Sequence, residues 1–165
     1  MEEEYMIIRH AQNTDIDELT RIEEISYPKA EGASKESITK RVAVFPECFW
    51  LLDDQGEIRA FINGMVTDEP DLTDEMYDHA EMHDPDGAWQ MIFSVVTDPE
   101  YRKKGYAGMV MKQVIADAKA AGRKGIVLTC KDRLLDFYGS FGYVNEGVSQ
   151  STHGDVVWYQ MRLTF

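Results

Sequence analysis

Val95-Val-Thr-Asp-Pro-Glu-Tyr-Arg-Lys-Lys-Gly-Tyr-Ala-Gly108 is the stretch on which the reading of this chain turns. It begins with an apolar run, Val95-Val96-Thr97, that Pro99 stops from continuing as a strand. Beyond it, Ala107, Val110, Met111, Val114, Ile115 and Ala118 recur at helical spacing. The spacing predicts a strand, a short loop and an amphipathic helix. The first turn of that helix offers N–H groups with no partner inside the helix, and they face whatever fills the loop. Arg102, Lys103 and Lys104 add positive charge to a helix dipole of about half an elementary charge. Gly105 lets an anion approach the main chain, and Ala107 is too small to block it. A polyphosphate is the natural occupant. The alternative is a solvated Arg-Lys-Lys turn before an ordinary helix.

Arg102-x-x-Gly105-x-Ala107 after an apolar strand resembles the acetyl-CoA pyrophosphate loop of the GCN5-related N-acetyltransferase (GNAT) superfamily. Downstream, Leu134-Leu-Asp-Phe-Tyr-Gly-Ser-Phe-Gly-Tyr143 resembles that superfamily's second signature, a short helix ending in Phe-Tyr and followed by Phe-Gly-Tyr. Leu128-Thr-Cys-Lys-Asp132 with Phe137-Tyr138, Ile25 to Glu31, and Phe61-Ile-Asn-Gly64 are similar to arylalkylamine (serotonin-type) N-acetyltransferases, particularly the non-vertebrate forms.

The resemblance implies an α/β fold over residues 1–165: a single N-acetyltransferase domain with a mixed, largely antiparallel sheet, flanking helices and a splayed central strand pair. It implies acetyl-CoA as co-substrate and direct transfer to a small primary amine, arylalkylamine or polyamine-like. It places the diphosphate on Arg102, Lys103, Lys104, Gly105, Tyr106, Ala107 and Gly108. The pantetheine arm goes to Val95, Val96 and Thr97, with open backbone groups at Val95 and Thr97 that also polarise the thioester. Tyr138 is implied as general acid for the departing thiolate, a task that suits a phenol of pKa about 10; the alternative is a core aromatic. The two strand histidines of the vertebrate arylalkylamine enzymes correspond here to Met91 and Phe93, neither of which takes a proton. Deprotonation then falls to a water, to free amine in equilibrium, or to a residue such as Glu31, in a linker resembling the substrate loop. The alternative for Glu31 is a solvated loop acid.

The 165 residues, 44% of them hydrophobic, fit one domain. The glutamate-rich start lacks the apolar core of a signal peptide, and no stretch approaches a membrane span, so a soluble cytoplasmic protein is expected, monomer or homodimer. The net charge of -13 argues against nucleic acid and suits a cationic substrate. Cys48 and Cys130 are expected to be reduced. His79 and His83, four apart on one expected helical face, lack a third ligand by sequence, so no metal is expected.

Along the chain we expect a strand from Tyr5 to Arg9, helices from Asp15 to Ile25 and from a Ser34 cap to Pro46, and a hairpin of Phe49–Leu52 with Ile58–Val66. The acidic 67–87 segment should be a helix flanked by loops, and Trp89–Thr97 a strand. A helix to Ala121, a strand to Cys130, and strands at Val144–Glu146 and Val156–Leu163 complete the order. Two other functions stay open: transfer to a protein N-terminus or lysine, and a non-catalytic acyl-CoA-binding relative. Neither a Walker lysine motif nor a Gly-x-Gly-x-x-Gly run is present.

Overall fold

The computed structural model describes residues 6–151 and 153–165, so Tyr5, expected to open the first strand, lies outside the described residues. Strand β1 (Met6–Arg9) is followed by two helices, α1 (Ile16–Ser26) and α2 (Lys35–Val44). Ser34 caps α2 by accepting from the Ser37 N–H at 3.1 Å, as the sequence suggested. A hairpin follows, β2 (Phe49–Asp54) with β3 (Glu57–Asn63), then the short strand β4 (Val66–Thr67). The acidic excursion contains a single helix, α3 (Asp74–Asp78), much shorter than a 67–87 helix, and a 3-10 turn at Ala80–Met82.

Trp89–Thr97 is not one strand. Phe93 divides it into β5 (Trp89–Ile92) and β6 (Ser94–Thr97), which join different sheets. After α4 (Tyr106–Ala120) come β7 (Gly125–Cys130), α5 (Leu135–Gly139), β8 (Val144–Val148) and β9 (Tyr159–Thr164). The last strand starts three residues later than its apolar alternation implied, and Val157 is exposed.

One sheet runs β1-β2-β3-β6 and is antiparallel throughout. The other runs β4-β5-β7-β9-β8, with β5 and β7 parallel and the remaining pairs antiparallel. This is the mixed α/β arrangement expected, including the splay.

The splay has a local cause. Phe93 N–H donates to the Asn63 carbonyl at 2.7 Å, while Ser94 is the register partner of the same Asn63. Two residues thus oppose one, a β-bulge that bends the strand and raises its twist. β5 stays paired with β7 up to Ile92 opposite Leu128; beyond that point β6 pairs with β3, and Thr129 and Cys130 face the gap. The bend presses chains together at Gly64, where an added Cβ would lie 1.6 Å from the Met91 carbonyl oxygen. Only glycine fits.

The core lies between the sheets and the helices. α4 buries Val110, Met111, Val114 and Ala118, and α1 and α2 bury Leu19, Ile22, Ile38 and Val42. Each large side chain so buried contributes about 1.5–3 kcal/mol. Trp50 fixes α4 against β2 by donating its indole N–H to Asp117 at 2.8 Å. No helix among the described residues is long and apolar enough to cross a membrane.

Candidate active site

The loop between β6 and α4 is held at its start. Asp98, 4% exposed, accepts from the Glu100 N–H and from Arg21, each at 3.1 Å, and Arg59 stacks on the Tyr101 ring at 3.8 Å. Lys103 and Gly105 then adopt left-handed backbone, with φ of 67° and 78°. The first helical hydrogen bond runs from Met109 N–H to Gly105 carbonyl, which leaves the N–H groups of Gly105, Tyr106, Ala107 and Gly108 outside the helical ladder. A Cβ built on Gly105 meets no protein atom within 4 Å, so the loop opens to empty space there. Arg102, Lys103 and Lys104 are exposed and form no ion pair among the described residues. Three unneutralised cations beside four free N–H groups fit a diphosphate.

The edge of β6 can be read from its register. Asp98 N–H bonds the Arg59 carbonyl at 2.9 Å, so Val96 and Ser94 direct their backbone groups to β3, and Val95 and Thr97, alternating with them, direct theirs into the split. The Val95 carbonyl there accepts from the Tyr27 hydroxyl at 3.2 Å.

Both walls of the split line one cleft: Ile92 to Val95 on one side, Leu128 to Lys131 on the other. Tyr138, on α5, is 5% exposed and reaches this cleft, and its hydroxyl makes no hydrogen bond to the described residues. Burial first, then the neighbouring Cys130 and Tyr143, hold its phenol well above the usual range. It therefore stays protonated at neutral pH, as a proton donor must. Burial also pushes the Cys130 thiol up to about 11, which disfavours the thiolate that a nucleophilic cysteine would need.

Glu31 is not a solvated loop acid. Its side chain is 8% exposed and pairs with Lys131 Nζ at 2.6 Å across the cleft mouth. Beside it lies Glu23 of α1, 2% exposed, which accepts from the Ala33 N–H at 2.8 Å. Tyr77 from the acidic 67–87 segment packs its ring, tilted by 37°, against Phe93 with centroids 4.7 Å apart and meets Thr129 Oγ1 at 3.4 Å, spanning the two walls. Glu23, Tyr77, Lys131 and Arg133 were not picked out from the sequence. The signal for Glu23 was available, since an acid at 23 follows Leu19 and Ile22 on the inward face of its helix. The aromatic residues Tyr27, Phe93 and Trp158 also line the cleft, whereas Phe45 and Phe61 are core. Met91 is fully buried, and Phe93 occupies the bulge.

His79 and His83 do not share a helical face, because α3 ends at Asp78. His79 is half-exposed beside Glu81. His83 is buried near Glu47 and Cys48, with ligand atoms within 4.8 Å of one another. Its Nδ1 accepts from the Val66 N–H at 3.1 Å, so the neutral ring carries its proton on Nε2 and offers a metal no lone pair there.

A split sheet with a cationic, anion-accepting loop at a helix N-terminus is the arrangement that defines the class of this fold. The model of the acetyltransferase (GNAT) family matches residues 16–143, and the chain belongs to that family. A curated relative, the probable hydrolase YhcX of Bacillus subtilis, is 27% identical over 110 residues that cover 61% of this chain. The match covers 21% of that relative, so the chain spans about a fifth of its length. Among solved structures, the GphF GNAT-like decarboxylase in complex with isobutyryl-CoA superposes with a TM-score of 0.83 at 21% identity, covering 96% of this chain and 98% of that one. YncA, a putative acetyltransferase from Salmonella typhimurium with acetyl-CoA, superposes with a TM-score of 0.70 at 14% identity, covering 97% and 94%. Such likenesses speak for the fold.

Proposed function

We propose that this protein transfers the acetyl group of acetyl-CoA directly to a small primary amine. The observation that carries the reading is the β6–α4 arrangement: N–H groups outside the helical ladder and, among the described residues, unpaired cations at the start of α4, the Val95–Thr97 edge turned into the split, and Tyr138 lining the same cleft as Val95. Val95, Val96, Thr97 and residues 102–108 bind the co-substrate, which supplies a thioester carbonyl and a thiolate leaving group. Arg102, Lys103 and Lys104 neutralise its diphosphate beside the N–H groups of Gly105–Gly108. The N–H groups of the split polarise the carbonyl. Tyr138 gives its proton to the departing sulfur.

On the acceptor side Glu23 and Glu31 supply negative charge, and Tyr27, Tyr77 and Trp158 supply apolar walls. Glu31 takes an incoming ammonium in exchange for Lys131. No imidazole lines the cleft among the described residues, so in this reading the amine loses its proton to a carboxylate or enters neutral. Similarity to the arylalkylamine enzymes, through Leu128–Asp132 and Phe137-Tyr138, favours an aryl-bearing amine.

A second reading has its own support. Lys131 and Arg133 line the cleft, and the fold superposes on a GNAT-like decarboxylase, so a carboxylated acyl-CoA is a rival substrate. An assay of aliphatic and aromatic amines with acetyl-CoA, reading free thiol and acetylated product together, decides between them. The proposal expects thiol release that depends on the amine. Loss of carbon dioxide from malonyl-CoA without thiol release supports the rival.

A further inference from the structure

We propose that Arg41 is a positioning residue for acyl transfer, acting through Asn63 and Ser94 on the bulge that aims the β6 edge; this rests on the transferase reading above. Arg41 projects from α2 into the interior and is 3% exposed. A guanidinium is costly to bury unless its charge and donors are used. Here Nη1 donates to Asn63 Oδ1 at 3.1 Å, Nη2 donates to the Tyr77 carbonyl at 2.9 Å, and Cζ lies over the Phe93 ring, 4.6 Å from its centroid. Glu23 supplies a nearby opposite charge.

The consequence runs through one amide. Because Asn63 Oδ1 faces Arg41, its Nδ2 is turned to donate to Ser94 Oγ, at 2.5 Å. Asn63 is the single residue opposite the Phe93–Ser94 bulge, so the guanidinium fixes the orientation of the side chain that pins the bulge. The Phe93 ring is held between Arg41 and Tyr77, at 4.6 and 4.7 Å. One residue beyond Ser94, Val95 turns its backbone into the split. An apolar side chain of similar volume would fill the space beneath α2 but would orient neither Asn63 nor Phe93. Arg41 touches none of the proposed co-substrate-binding loop, so its effect belongs to alignment and not to affinity. Misplacing a reacting group by about 1 Å can cost 100-fold in rate.

The test uses Arg41→Met, Ser94→Ala and the double variant, with kcat at saturating substrates, acetyl-CoA Kd by calorimetry, and the amide NMR shifts of Val95 and Thr97 in the free protein. Arg41→Met should lower kcat at least tenfold while Kd stays within about threefold. Ser94→Ala, which deletes one hydroxyl, covers the case in which Arg41→Met does not fold and should lower kcat in the same way. The double variant should be no slower than the worse single one, because both act through the same chain of bonds. Unchanged kcat in the folded variants overturns the proposal, as do fully additive losses. If the wild type acetylates no amine while the Val95 and Thr97 shifts move in Arg41→Met, the functional reading fails and the positioning role stands. Static shifts overturn the positioning role itself.

Discussion

Gly105 is where the anion-binding account can be measured as a free energy. In the wild type, acetyl-CoA at one hundred times its Kd should stabilise the fold by about 2.7 kcal/mol. For a chain of 165 residues that raises Tm by about 5–11 °C. Gly105 has φ of 78°, so any side chain costs about 1–2 kcal/mol in the free protein, yet a Cβ there meets no protein atom within 4 Å. Gly105→Ala isolates that strain. Gly105→Glu adds a carboxylate beside the diphosphate; two unit charges about 4 Å apart repel by about 1 kcal/mol in bulk water and about 4 kcal/mol near a protein surface, and a loop open to solvent falls between, at about 1.4–2.8 kcal/mol. Affinity should fall about 10- to 100-fold, and at the same ligand concentration the stabilisation drops to between about 1.4 and about 0.4 kcal/mol. Differential scanning fluorimetry of the three proteins with and without acetyl-CoA reads each quantity. A Glu variant that keeps the full wild-type shift refutes the loop as the diphosphate site.

Glu31→Gln should raise the KM for the amine several-fold with little change for acetyl-CoA, since it removes the carboxylate that exchanges Lys131 for substrate; equal KM values would assign the Glu31–Lys131 pair to structure alone. Met91 and Phe93 carry no group that takes a proton, so kcat/KM for the amine should climb with pH toward the amine's own pKa. A plateau near 7 in the pH profile would show that a histidine serves as base. Burial raises the phenols of Tyr27, Tyr138 and Tyr143 above the value of about 10 that they regain on unfolding. The folded state therefore holds protons that the unfolded chain releases, so stability is complete below pH 10 and falls above it. Tm measured from pH 8 to pH 11 should decline only at the alkaline end, and less steeply in Tyr143→Phe; an identical slope would mean that Tyr143 ionises freely in the fold.

The parts of the site legible in sequence were those written locally. Arg102 to Gly108 reads as a cradle because the cations, the glycine and the helix that follows are contiguous, and the short helix carrying Tyr138 is likewise a local pattern. The split was implied only through the family resemblance; the residues of Trp89–Thr97 do not show where it falls, since Phe93 continues an apolar run and the bulge exists only against Asn63, thirty residues earlier. For Glu31 the sequence left a substrate-loop carboxylate and a solvated loop acid both open, because Lys131, its partner, is distant in the chain. Arg41 and Glu23 did leave a mark, each a charge set among apolar neighbours at helical spacing: Ile38 and Val42 for one, Leu19 and Ile22 for the other. Such a charge on an inward stripe points to a buried network without saying what it holds.

The central claim is that this cleft transfers an acetyl group and that Tyr138 protonates the leaving sulfur. Its most direct test is the single-turnover rate of acetyl transfer in wild type and Tyr138→Phe at saturating acetyl-CoA, with Kd for acetyl-CoA measured on both. Removing a positioned general acid should slow transfer by about 100-fold or more while Kd changes by less than about threefold. Equal rates would make Tyr138 a core aromatic and contradict the account.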